Sequence, residues 1–300
     1  MLISYNYIMD KLILKISKLC VYFNQNEDMS NHTTFRCGGT ARFYGEVDNI
    51  KSLVKIIKLV KNKLPLFILG NGSNTLFLNY NGLVICTRKL NKLKVHKNMV
   101  YAESGVNLFT LNLTLKQNGL SGAEFSFGIP ATVGGACYNN AGAYGGQFGD
   151  LVEKVIVYDT KCHIIKRKDL KFSYRNSSLK QNNQIILGVV LKFEKSSCES
   201  IDEKMKTYYR KRLDTQPNLP SAGSVFKRDE DIIPAKIIDN MGLKGVKING
   251  AVISDKHAGF IVNNGNASPE DIIKLIELIK QKVKTQHGIE LKQEIQIIGD

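Results

Sequence analysis

The sequence predicts an α+β protein built from more than one domain. Segments with a period of two alternate with segments whose apolar residues recur every three or four positions, so strands and helices are interspersed along the chain. Its 300 residues exceed the usual size of one domain and indicate two or three. Hydrophobic residues make up 43% and charged residues 23%, a balance that excludes the disordered and disulfide-scaffold classes. We therefore expect a soluble globular protein.

The amino-terminal segment, residues 1–19, predicts an amphipathic helix. Asp10, Lys11, Lys15 and Lys18 interrupt its apolar positions before the core of an export signal could form. No run approaches the roughly 20 apolar residues that span a bilayer. We expect a cytoplasmic protein without membrane association.

A β-α-β pattern occupies the first third of the chain. Residues 41–47 predict a strand, and Asp48 is the expected cap of the following helix. One face of that helix carries apolar residues, namely Leu53, Ile56, Ile57 and Val60. Short apolar strands at 65–69 and 83–86 flank a turn rich in Gly and Asn.

A second mixed segment follows, and it contains a concentration of glycine. Residues 100–104 predict a strand, and Asn107 and Gly119 are the expected cap and stop of a helix. Seven of the 25 glycines then fall between Gly128 and Gly149, as in loops that approach a ligand with their backbone. Two strands at 151–158 and 184–194 complete this segment.

The last third predicts three helices and two strands. Ser200 and Glu203 have the spacing of a capping box for a helix that runs to about Leu213. Short motifs delimit the remaining elements: a helix from Pro234 to Gly242, a strand at 259–263, a helix from Ser268 to Gly288, and a strand at 294–298.

The net charge of the chain and the positions of its cysteines and histidines limit which partners and metals we expect it to bind. With 42 basic and 27 acidic residues, the net charge of +15 indicates an anionic partner: nucleic acid, an acidic membrane or a phosphorylated small molecule. The six cysteines lie far apart, which predicts a reducing compartment, and the five histidines form no zinc-binding pair. We predict no bound metal.

Two glycine-containing segments are candidate ligand sites. In Gly70–Asn74, successive backbone N–H groups could converge on a pyrophosphate, although this segment taken alone favours an ordinary loop between strands. The segment from Gly122 to Gly145 could place its backbone against a flat aromatic ligand. A mobile surface loop is the alternative, but such loops seldom contain Phe125, Ile129 or Val133.

Three further residues could carry chemistry. Arg175 offers a planar set of donors that suits a carboxylate. Ser224 lies among small residues that could present its hydroxyl to a ligand, and it does not match the nucleophile motif of hydrolases. Glu294 shares one face of the last strand with Gln296. On pattern alone, a solvated arginine, a polar turn and a solvent-facing glutamate remain open interpretations.

In this order and spacing, the segments resemble the flavoprotein family of UDP-N-acetylenolpyruvoylglucosamine reductase, also called UDP-N-acetylmuramate dehydrogenase. The resemblance covers about residues 31–299 and rests on ordered motifs: Asn31–Gly39, Gly70–Asn74, Gly128–Gly145, Tyr174–Ser177, Ser221–Lys227, Ser254–Phe260 and Glu294. We see no insert with the tyrosine-bearing loop of one subclass, so the chain resembles the shorter subclass.

The resemblance implies an α+β fold of the vanillyl-alcohol-oxidase-like, or PCMH-type, FAD-binding kind, with two subdomains that hold FAD between them and a carboxyl-terminal α+β substrate domain. The expected bounds are 1–95, 96–198 and 199–300. It also implies an FAD-dependent oxidoreductase that holds FAD non-covalently, uses NADPH as co-substrate, and reduces the nucleotide-sugar UDP-N-acetylglucosamine enolpyruvate to UDP-N-acetylmuramate for peptidoglycan synthesis.

The resemblance also implies roles for individual residues. The catalytic residues would be Arg175, Ser224 and Glu294. The cofactor-binding residues would be Thr34, Arg36, Gly38, Gly70, Asn71, Gly72, Ser73, Asn74, Gly128, Ile129, Pro130, Thr132, Gly134, Gly135, Asn139, Ala141, Gly142 and Ala143. The substrate-binding residues would be Tyr174, Arg212, Gln216, Lys227, Lys256 and His257.

Two positions depart from the family pattern. Ala131 stands where glycine usually follows Ile-Pro, and Gln296 stands where an arginine often follows the catalytic glutamate by two positions. The second change removes an expected substrate-anchoring charge, which Arg212 or Lys256 could supply.

Two other functions remain as alternatives. Another flavin oxidoreductase of the same fold could oxidise a sugar or an alcohol, because one fold hosts many chemistries. A nucleic-acid-binding protein would explain the charge, but the lysines are dispersed and no recognition motif accompanies them, so we expect no nucleic-acid partner. The sequence decides neither the oligomeric state, for which a monomer would suffice, nor the preference between NADPH and NADH.

Overall fold

The computed structural model describes residues 2–229 and 231–300, with side chains from residue 9 onward. The described chain forms two compact units. The first unit comprises Met1–Glu27, Ala41–Gly70 and Asn81–Tyr208, and the second comprises Asp28–Thr40, Asn71–Tyr80 and Tyr209–Asp300. Two short amino-terminal segments thus group with the carboxyl-terminal part of the chain. The predicted domain bounds at 95 and 198 stay predictions.

Helices and strands are interspersed, as predicted. The α-helices are α1 (Leu2–Ser17), α2 (Ile50–Val60), α3 (Leu108–Gln117), α4 (Val133–Tyr138), α5 (Ser178–Gln181), α6 (Cys198–Thr215), α7 (Pro234–Asn240) and α8 (Pro269–His287). Short 3₁₀ turns lie at Met29–His32, Glu124–Ser126, Phe148–Leu151 and Arg167–Asp169. The strands are β1 (Tyr22–Asp28), β2 (Thr40–Glu46), β3 (Leu66–Leu69), β4 (Thr75–Phe77), β5 (Tyr80–Cys86), β6 (Leu93–His96), β7 (Met99–Glu103), β8 (Leu120–Ser121), β9 (Gly142–Ala143), β10 (Gly146–Gln147), β11 (Val152–Tyr158), β12 (Cys162–Lys166), β13 (Phe172–Ser173), β14 (Asn176–Ser177), β15 (Ile185–Lys192), β16 (Glu194–Lys195), β17 (Ser221–Ser224), β18 (Lys247–Ile248), β19 (Ala251–Ile253), β20 (Phe260–Asn263) and β21 (Gln296–Ile298).

The first unit contains two main sheets. One has the strand order β1-β2-β5-β3, with β3 and β5 parallel. Apolar side chains of α1 and α2 pack with those of β2 and β5 into one buried cluster. The other sheet has the order β12-β11-β15-β7-β6 and is antiparallel throughout. Its buried face packs with α3 and α4 into a second cluster, which fixes the base of the glycine-rich segment.

The second unit is built on the antiparallel sheet β17-β20-β19-β18 and the parallel pair β4-β21. The apolar stripe of α8 packs into the buried cluster of this sheet. Phe35 and Leu76 from the two amino-terminal segments belong to the same cluster, which explains why those segments group with this unit. Apolar burial is the main stabilising force that holds them there.

The helix ends agree with the prediction where the sequence offers a single capping residue. Ser268 and Asp271 form a capping box at the start of α8, and Gly288, with φ of 68°, ends the helix in the left-handed region. The side chain of Asn107 caps α3, as expected. Gly242, with φ of 65°, follows α7.

Two expected caps are wrong. The cap of α2 is Asn49, whose Oδ1 accepts a hydrogen bond from the Ser52 N–H at 2.8 Å; Asp48 lies one residue before it. Helix α6 starts at Cys198, and the Ser197 hydroxyl accepts from the Ser200 N–H at 3.1 Å, so Ser200 lies inside the helix. In both helices the capping oxygen belongs to a residue next to or near the expected one, Asn49 or Ser197, because that residue directly precedes the helix and its side chain reaches the N–H groups of the first turn.

In residues 2–229 and 231–300, no helix is long and apolar enough to cross a lipid bilayer. The same residues include no group of three or more His, Cys, Asp or Glu side chains that could hold a metal ion. All six cysteines are free thiols.

Candidate active site

The turn after β3 is attached to the last strand of the second unit. The Asn74 side-chain amide donates to the Glu294 carbonyl at 3.1 Å, and the Asn74 carbonyl accepts from the Gln296 N–H at 2.9 Å. Asn74 therefore seats residues 294–296, a contact that the sequence did not indicate. The Gly72 carbonyl accepts from the Thr34 N–H at 3.4 Å. Gly72 has φ of 63°, and a Cβ there would meet the His32 carbonyl oxygen at 2.5 Å, so only glycine fits.

The segment that carries Thr34, Arg36 and Gly38 lies beside the strand of Ser224. The Thr34 hydroxyl donates to the Ser221 carbonyl at 2.7 Å, and the Ser221 N–H donates to the Thr34 carbonyl at 3.1 Å. The Asn263 amide donates to the carbonyls of Phe35 at 3.1 Å and Arg36 at 2.9 Å. Thr34 and Ser224 thus belong to one connected part of the second unit.

Ser224 and Glu294 lie on adjacent backbone segments. The pairing of β17 with β20 shifts register between Ser221 and Ser224, and Gly223 in this irregularity has φ of 77°. A bulge re-aims the side chain that follows it. The Glu294 N–H donates to the Val225 carbonyl at 2.7 Å. Glu294 precedes β21; the residue is partly exposed, but its Oε2 is buried.

The glycine-rich segment folds into a short helix and a hairpin in the first unit. The Thr132 hydroxyl caps α4 by accepting from the Gly135 N–H at 3.3 Å. A Cβ on Gly70 would meet this hydroxyl oxygen at 2.6 Å, so the end of β3 lies against the start of α4. Strands β9 and β10 form the hairpin, with Gly145 at its turn and φ of 88°. Val133 is fully buried, which anchors this segment in the core.

Arg175 is directed to this hairpin. It lies at the turn between β13 and β14 with φ of 52°, and its Nη2 donates to the Gly142 carbonyl at 3.0 Å. Its guanidinium carbon lies 4.9 Å from the ring centre of Tyr174, which is 47% exposed. Arg175 is partly buried and hydrogen-bonded, so it is not the solvated surface arginine that its sequence pattern alone allowed.

Four hydrogen bonds attach the segment around Arg175 to the glycine-rich segment. They run from Ser177 Oγ to the Tyr138 carbonyl (2.7 Å), from Lys180 Nζ to Asn139 Oδ1 (3.0 Å), from Asn140 Nδ2 to the Ser173 carbonyl (2.9 Å), and from Arg175 Nη2 to the Gly142 carbonyl (3.0 Å). Each of the four includes at least one side chain. The position of Arg175 therefore depends on several separate side chains.

Three of the expected substrate residues meet at the end of α6. The Gln216 N–H donates to the Arg212 carbonyl at 2.9 Å, and the Lys256 ammonium donates to the Leu213 carbonyl. Within the described part of the chain, Gln216 Oε1 is buried and accepts no hydrogen bond.

His257 and Lys227 lie on the loops of the same sheet. The His257 Nδ1 accepts from the Gly259 N–H at 3.1 Å, which leaves the ring proton on Nε2. Burial lowers the pKa of His257 below its ordinary value. Its ring packs edge-on against Phe260 at 4.9 Å. The Lys227 N–H donates to the Lys292 carbonyl at 2.8 Å.

Two buried asparagines hold the candidate segments and were not singled out from the sequence. Asn140 is 1% exposed and Asn263 is 4% exposed, and each uses both polar atoms of its side chain. The available signal was the polar residue that ends the apolar strand at 260–263. Asn140 has no such local signal, because it lies in a glycine-rich segment and not at the end of an apolar strand.

Comparison with known proteins assigns the family. Residues 41–166 match the family described as FAD binding domain, and residues 216–298 match the one described as UDP-N-acetylenolpyruvoylglucosamine reductase, C-terminal domain. The chain is 43% identical over 276 residues to UDP-N-acetylenolpyruvoylglucosamine reductase of Thermotoga maritima, covering 90% of this chain and 97% of that protein. The chain belongs to the UDP-N-acetylenolpyruvoylglucosamine reductase family.

Two further members of the UDP-N-acetylenolpyruvoylglucosamine reductase family agree with this assignment. The enzyme of Clostridium novyi is 40% identical over 280 residues, which is 91% of this chain and 91% of that protein. The crystal structure of the enzyme from Thermus caldophilus superimposes with a TM-score of 0.80 at 30% identity and covers 93% of this chain and all of that one. The predicted α+β fold with an FAD-binding part and a family-specific carboxyl-terminal domain is confirmed.

The residues present fit FAD, the cofactor of the reductase family. Within the described part of the chain, the backbone N–H groups of Gly72, Ser73 and Asn74 donate no hydrogen bond, so three successive donors are available to a diphosphate. In the glycine-rich segment, a Cβ on Gly145 would meet nothing within 4 Å, and one on Gly135 would meet only Thr132 Oγ1 at 3.5 Å. This uncovered backbone suits a flat ring.

Proposed function

We propose that the chain is an FAD-dependent oxidoreductase that uses NADPH to reduce UDP-N-acetylglucosamine enolpyruvate to UDP-N-acetylmuramate, in peptidoglycan precursor synthesis. Membership of the reductase family supports the reaction. The structural observation that carries it is the hydrogen bond between Val225 and Glu294, because it brings a hydroxyl and a carboxyl residue onto neighbouring backbone segments.

When bound, FAD supplies hydride transfer from NADPH to C3 of the enolpyruvyl group. Candidate holders of its diphosphate are the N–H groups of Gly72–Asn74. The family resemblance makes Gly134, Gly135 and Gly142 candidate neighbours of its ring, and of these three the backbone of Gly135 is uncovered. These roles rest on the family resemblance and on the uncovered donors described above.

Arg175 is proposed to stabilise charge on the substrate carboxylate. Hydride addition at C3 leaves an electron pair that spreads from C2 into the carboxylate. A guanidinium presents donors in a fixed plane and stays charged, so it can bind both carboxylate oxygens as their charge grows. The bond from Nη2 to Gly142 holds one edge of the guanidinium in place before substrate arrives.

Ser224 is proposed to donate the proton to C2, with Glu294 beside it. A serine hydroxyl is a weak acid in water, but a carbanion-like carbon is a strong base, so the transfer is downhill within a fixed contact. The register shift before Ser224 interrupts the regular pleat of β17, and such an irregularity changes the direction of a nearby side chain. When protonated, the Glu294 carboxyl can donate a hydrogen bond to the negative charge that develops on the substrate carboxylate.

The anionic parts of the substrate are proposed to bind at the end of α6. Arg212 and Lys256 are brought to this place together with Gln216, whereas Gln296 contributes no charge. The chain carries a net charge of +15, which attracts both the nucleotide-sugar and NADPH. We propose that Arg212 or Lys256 supplies the charge that arginine provides at position 296 in relatives.

We also propose a cytoplasmic monomer that needs neither nucleic acid nor a membrane. NADPH and nucleotide-sugars are cytoplasmic metabolites, which supports this location. Light scattering of the purified protein tests the oligomeric state, and a mass of two or more chains would contradict the monomer.

The visible spectrum of the purified protein, followed without oxygen, tests the function. We expect a flavin band that NADPH bleaches and that UDP-N-acetylglucosamine enolpyruvate restores. A bleached band that this substrate does not restore would favour another flavin oxidoreductase of the same fold. A colourless protein that does not take up FAD, and that retains RNA in a salt-sensitive manner, would favour the nucleic-acid-binding alternative.

A further inference from the structure

We propose that Asn140 is a positioning residue that fixes Arg175 against the glycine-rich hairpin. The inference rests on the proposed function, in which Arg175 binds the charge that develops on the substrate. Asn140 is 1% exposed, and its side chain makes three hydrogen bonds. Its Nδ2 donates to the Ser173 carbonyl and to Gln147 Oε1, both at 2.9 Å, and its Oδ1 accepts from the Gly149 N–H at 2.8 Å.

These bonds hold the backbone on both sides of the contact that Arg175 makes. Ser173 lies two residues before Arg175, at the start of the β13-β14 turn. Gly142, which accepts from Arg175, lies two residues after Asn140, and Gln147 lies on the opposite strand of the same hairpin. One buried amide therefore ties the turn that carries the guanidinium to the hairpin that receives it.

Only a primary amide satisfies this site. Nδ2 donates two bonds while Oδ1 accepts a third, and a carboxylate has no donor. In Asn140→Asp, an oxygen would face the Ser173 carbonyl, and the two would repel. Asn140 has φ of 45°, a left-handed conformation that Asn, Asp and Gly tolerate better than other residues. Asp and Gly substitutions thus change the hydrogen bonds with little backbone strain.

Asn183 provides a matched control. It has φ of 50°, lies in the same unit, and is exposed. Its backbone N–H donates to the Lys180 carbonyl, a bond that Asp and Gly keep. Asn183→Asp and Asn183→Gly therefore repeat the chemical change in a left-handed position without a buried network.

The first experiment measures the two half-reactions of the FAD-loaded protein separately. For Asn140→Asp and Asn140→Gly, we expect flavin reduction by NADPH at the parent rate and reoxidation by the enolpyruvate about 10- to 100-fold slower, because small misplacement of a catalytic group costs this much. Spectral titration with UDP-N-acetylmuramate should show nearly unchanged binding, since Arg175 acts mainly in the transition state. The Asn183 variants should match the parent in every measurement.

The second experiment asks whether Asn140 acts through Arg175. In the Arg175→Ala background, Asn140→Asp should slow reoxidation no further, because the group that it positions is gone. An equal loss in both backgrounds would overturn the inference, and so would unchanged reoxidation in both Asn140 variants. If both variants lose flavin or fail to fold while the Asn183 variants do not, Asn140 is purely structural and the inference is wrong.

The same measurements distinguish failure of the inference about Asn140 from failure of the proposed function. If the parent protein is not reoxidised by the enolpyruvate, the proposed function fails and the inference fails with it. If the parent is reoxidised and the Asn140 variants behave like it, the function stands and only the role of Asn140 is refuted.

Discussion

Separate side chains hold Arg175 in the first unit, whereas backbone pairing holds most of the candidate residues in the second. Ser177, Lys180 and Asn140 each attach the segment around Arg175 through a side-chain hydrogen bond. In the second unit, backbone hydrogen bonds join Thr34 to Ser221, Asn74 to Gln296 and Val225 to Glu294. Single substitutions can remove the first kind of contact and not the second. The geometry around Arg175 should therefore be the more sensitive to mutation.

The largest expected effect tests the chemistry of the second unit without altering its backbone. Ser224→Ala should slow reoxidation by the enolpyruvate about 10²- to 10⁴-fold, because the proton donor is lost, and leave reduction by NADPH intact. Stopped-flow absorbance measures both rates. Ser221→Ala in the same strand is the control, since Ser221 engages its neighbours through backbone atoms. Unchanged turnover in Ser224→Ala would remove Ser224 from this role.

The next effect concerns Arg175 itself. Arg175→Lys should lower the reoxidation rate about 10²-fold, because an ammonium reproduces neither the planar fork nor its contact to Gly142. Arg167→Lys is the matched control: Arg167 donates to the Leu170 carbonyl at 3.2 Å and lies 5.5 Å from the Phe172 ring centre. Similar kinetics for both variants would show that Arg175 takes no part in the reaction.

Asn263 is an exception in the second unit, because its side chain, and not only backbone pairing, holds the segment that contains Phe35 and Arg36. Asn263→Asp removes both donors to the carbonyls of Phe35 and Arg36, and we expect it to lower the free energy of unfolding by about 2–4 kcal/mol. The exposed neighbour variant Asn264→Asp should change it by less than about 0.5 kcal/mol. Chemical denaturation measures both. Equal stabilities would mean that backbone pairing alone holds this segment.

The smallest effect gives the baseline for the others. Asn49→Ala removes the cap of α2 and should cost about 1 kcal/mol of unfolding free energy, while Asp48→Ala should cost less than about 0.5 kcal/mol. Neither should change kcat, because α2 carries no candidate residue. A fall in kcat with Asn49→Ala would show that lost stability alone lowers turnover, and the kinetic predictions above would lose their meaning. A larger cost for Asp48→Ala would contradict the cap assignment.

Local signals determined how much of the fold the sequence could predict. Helices α3 and α8 were predicted to within two residues, because Asn107 and Ser268 are single capping residues and glycine follows each helix. At Asp48 and Ser200 a second capping residue stands nearby, and the choice depends on how the chain enters the helix. Tertiary packing decides that entry, so the sequence pattern alone chose the wrong residue.

The candidate site was predicted in part for the same reason. Motifs that lie within one short segment, such as Gly70–Asn74, were visible, and family resemblance added Arg175, Ser224 and Glu294. The contacts that arrange them were not visible: Asn74 meets Glu294 across 220 positions, and Asn263 meets Phe35 across 228. The periodicity of a sequence carries no information about contacts between residues so far apart. In the sequence, an asparagine that is buried and hydrogen-bonded cannot be distinguished from an exposed polar residue.

The parallel pairing of β4 with β21 joins two strands that are synthesised at different times. Thr75 pairs with Gln296, which leaves the ribosome 221 residues later. At bacterial and eukaryotic elongation rates this delay is roughly 10 to 40 s. In the last part of this delay the first unit, which ends at Tyr208, has already been synthesised, but the turn at Gly72–Asn74 still lacks residues 294–296, to which Asn74 will hydrogen-bond. A nascent chain therefore carries β4 without its parallel partner until Gln296–Ile298 has been made, and chaperones or proteases meet it in that form.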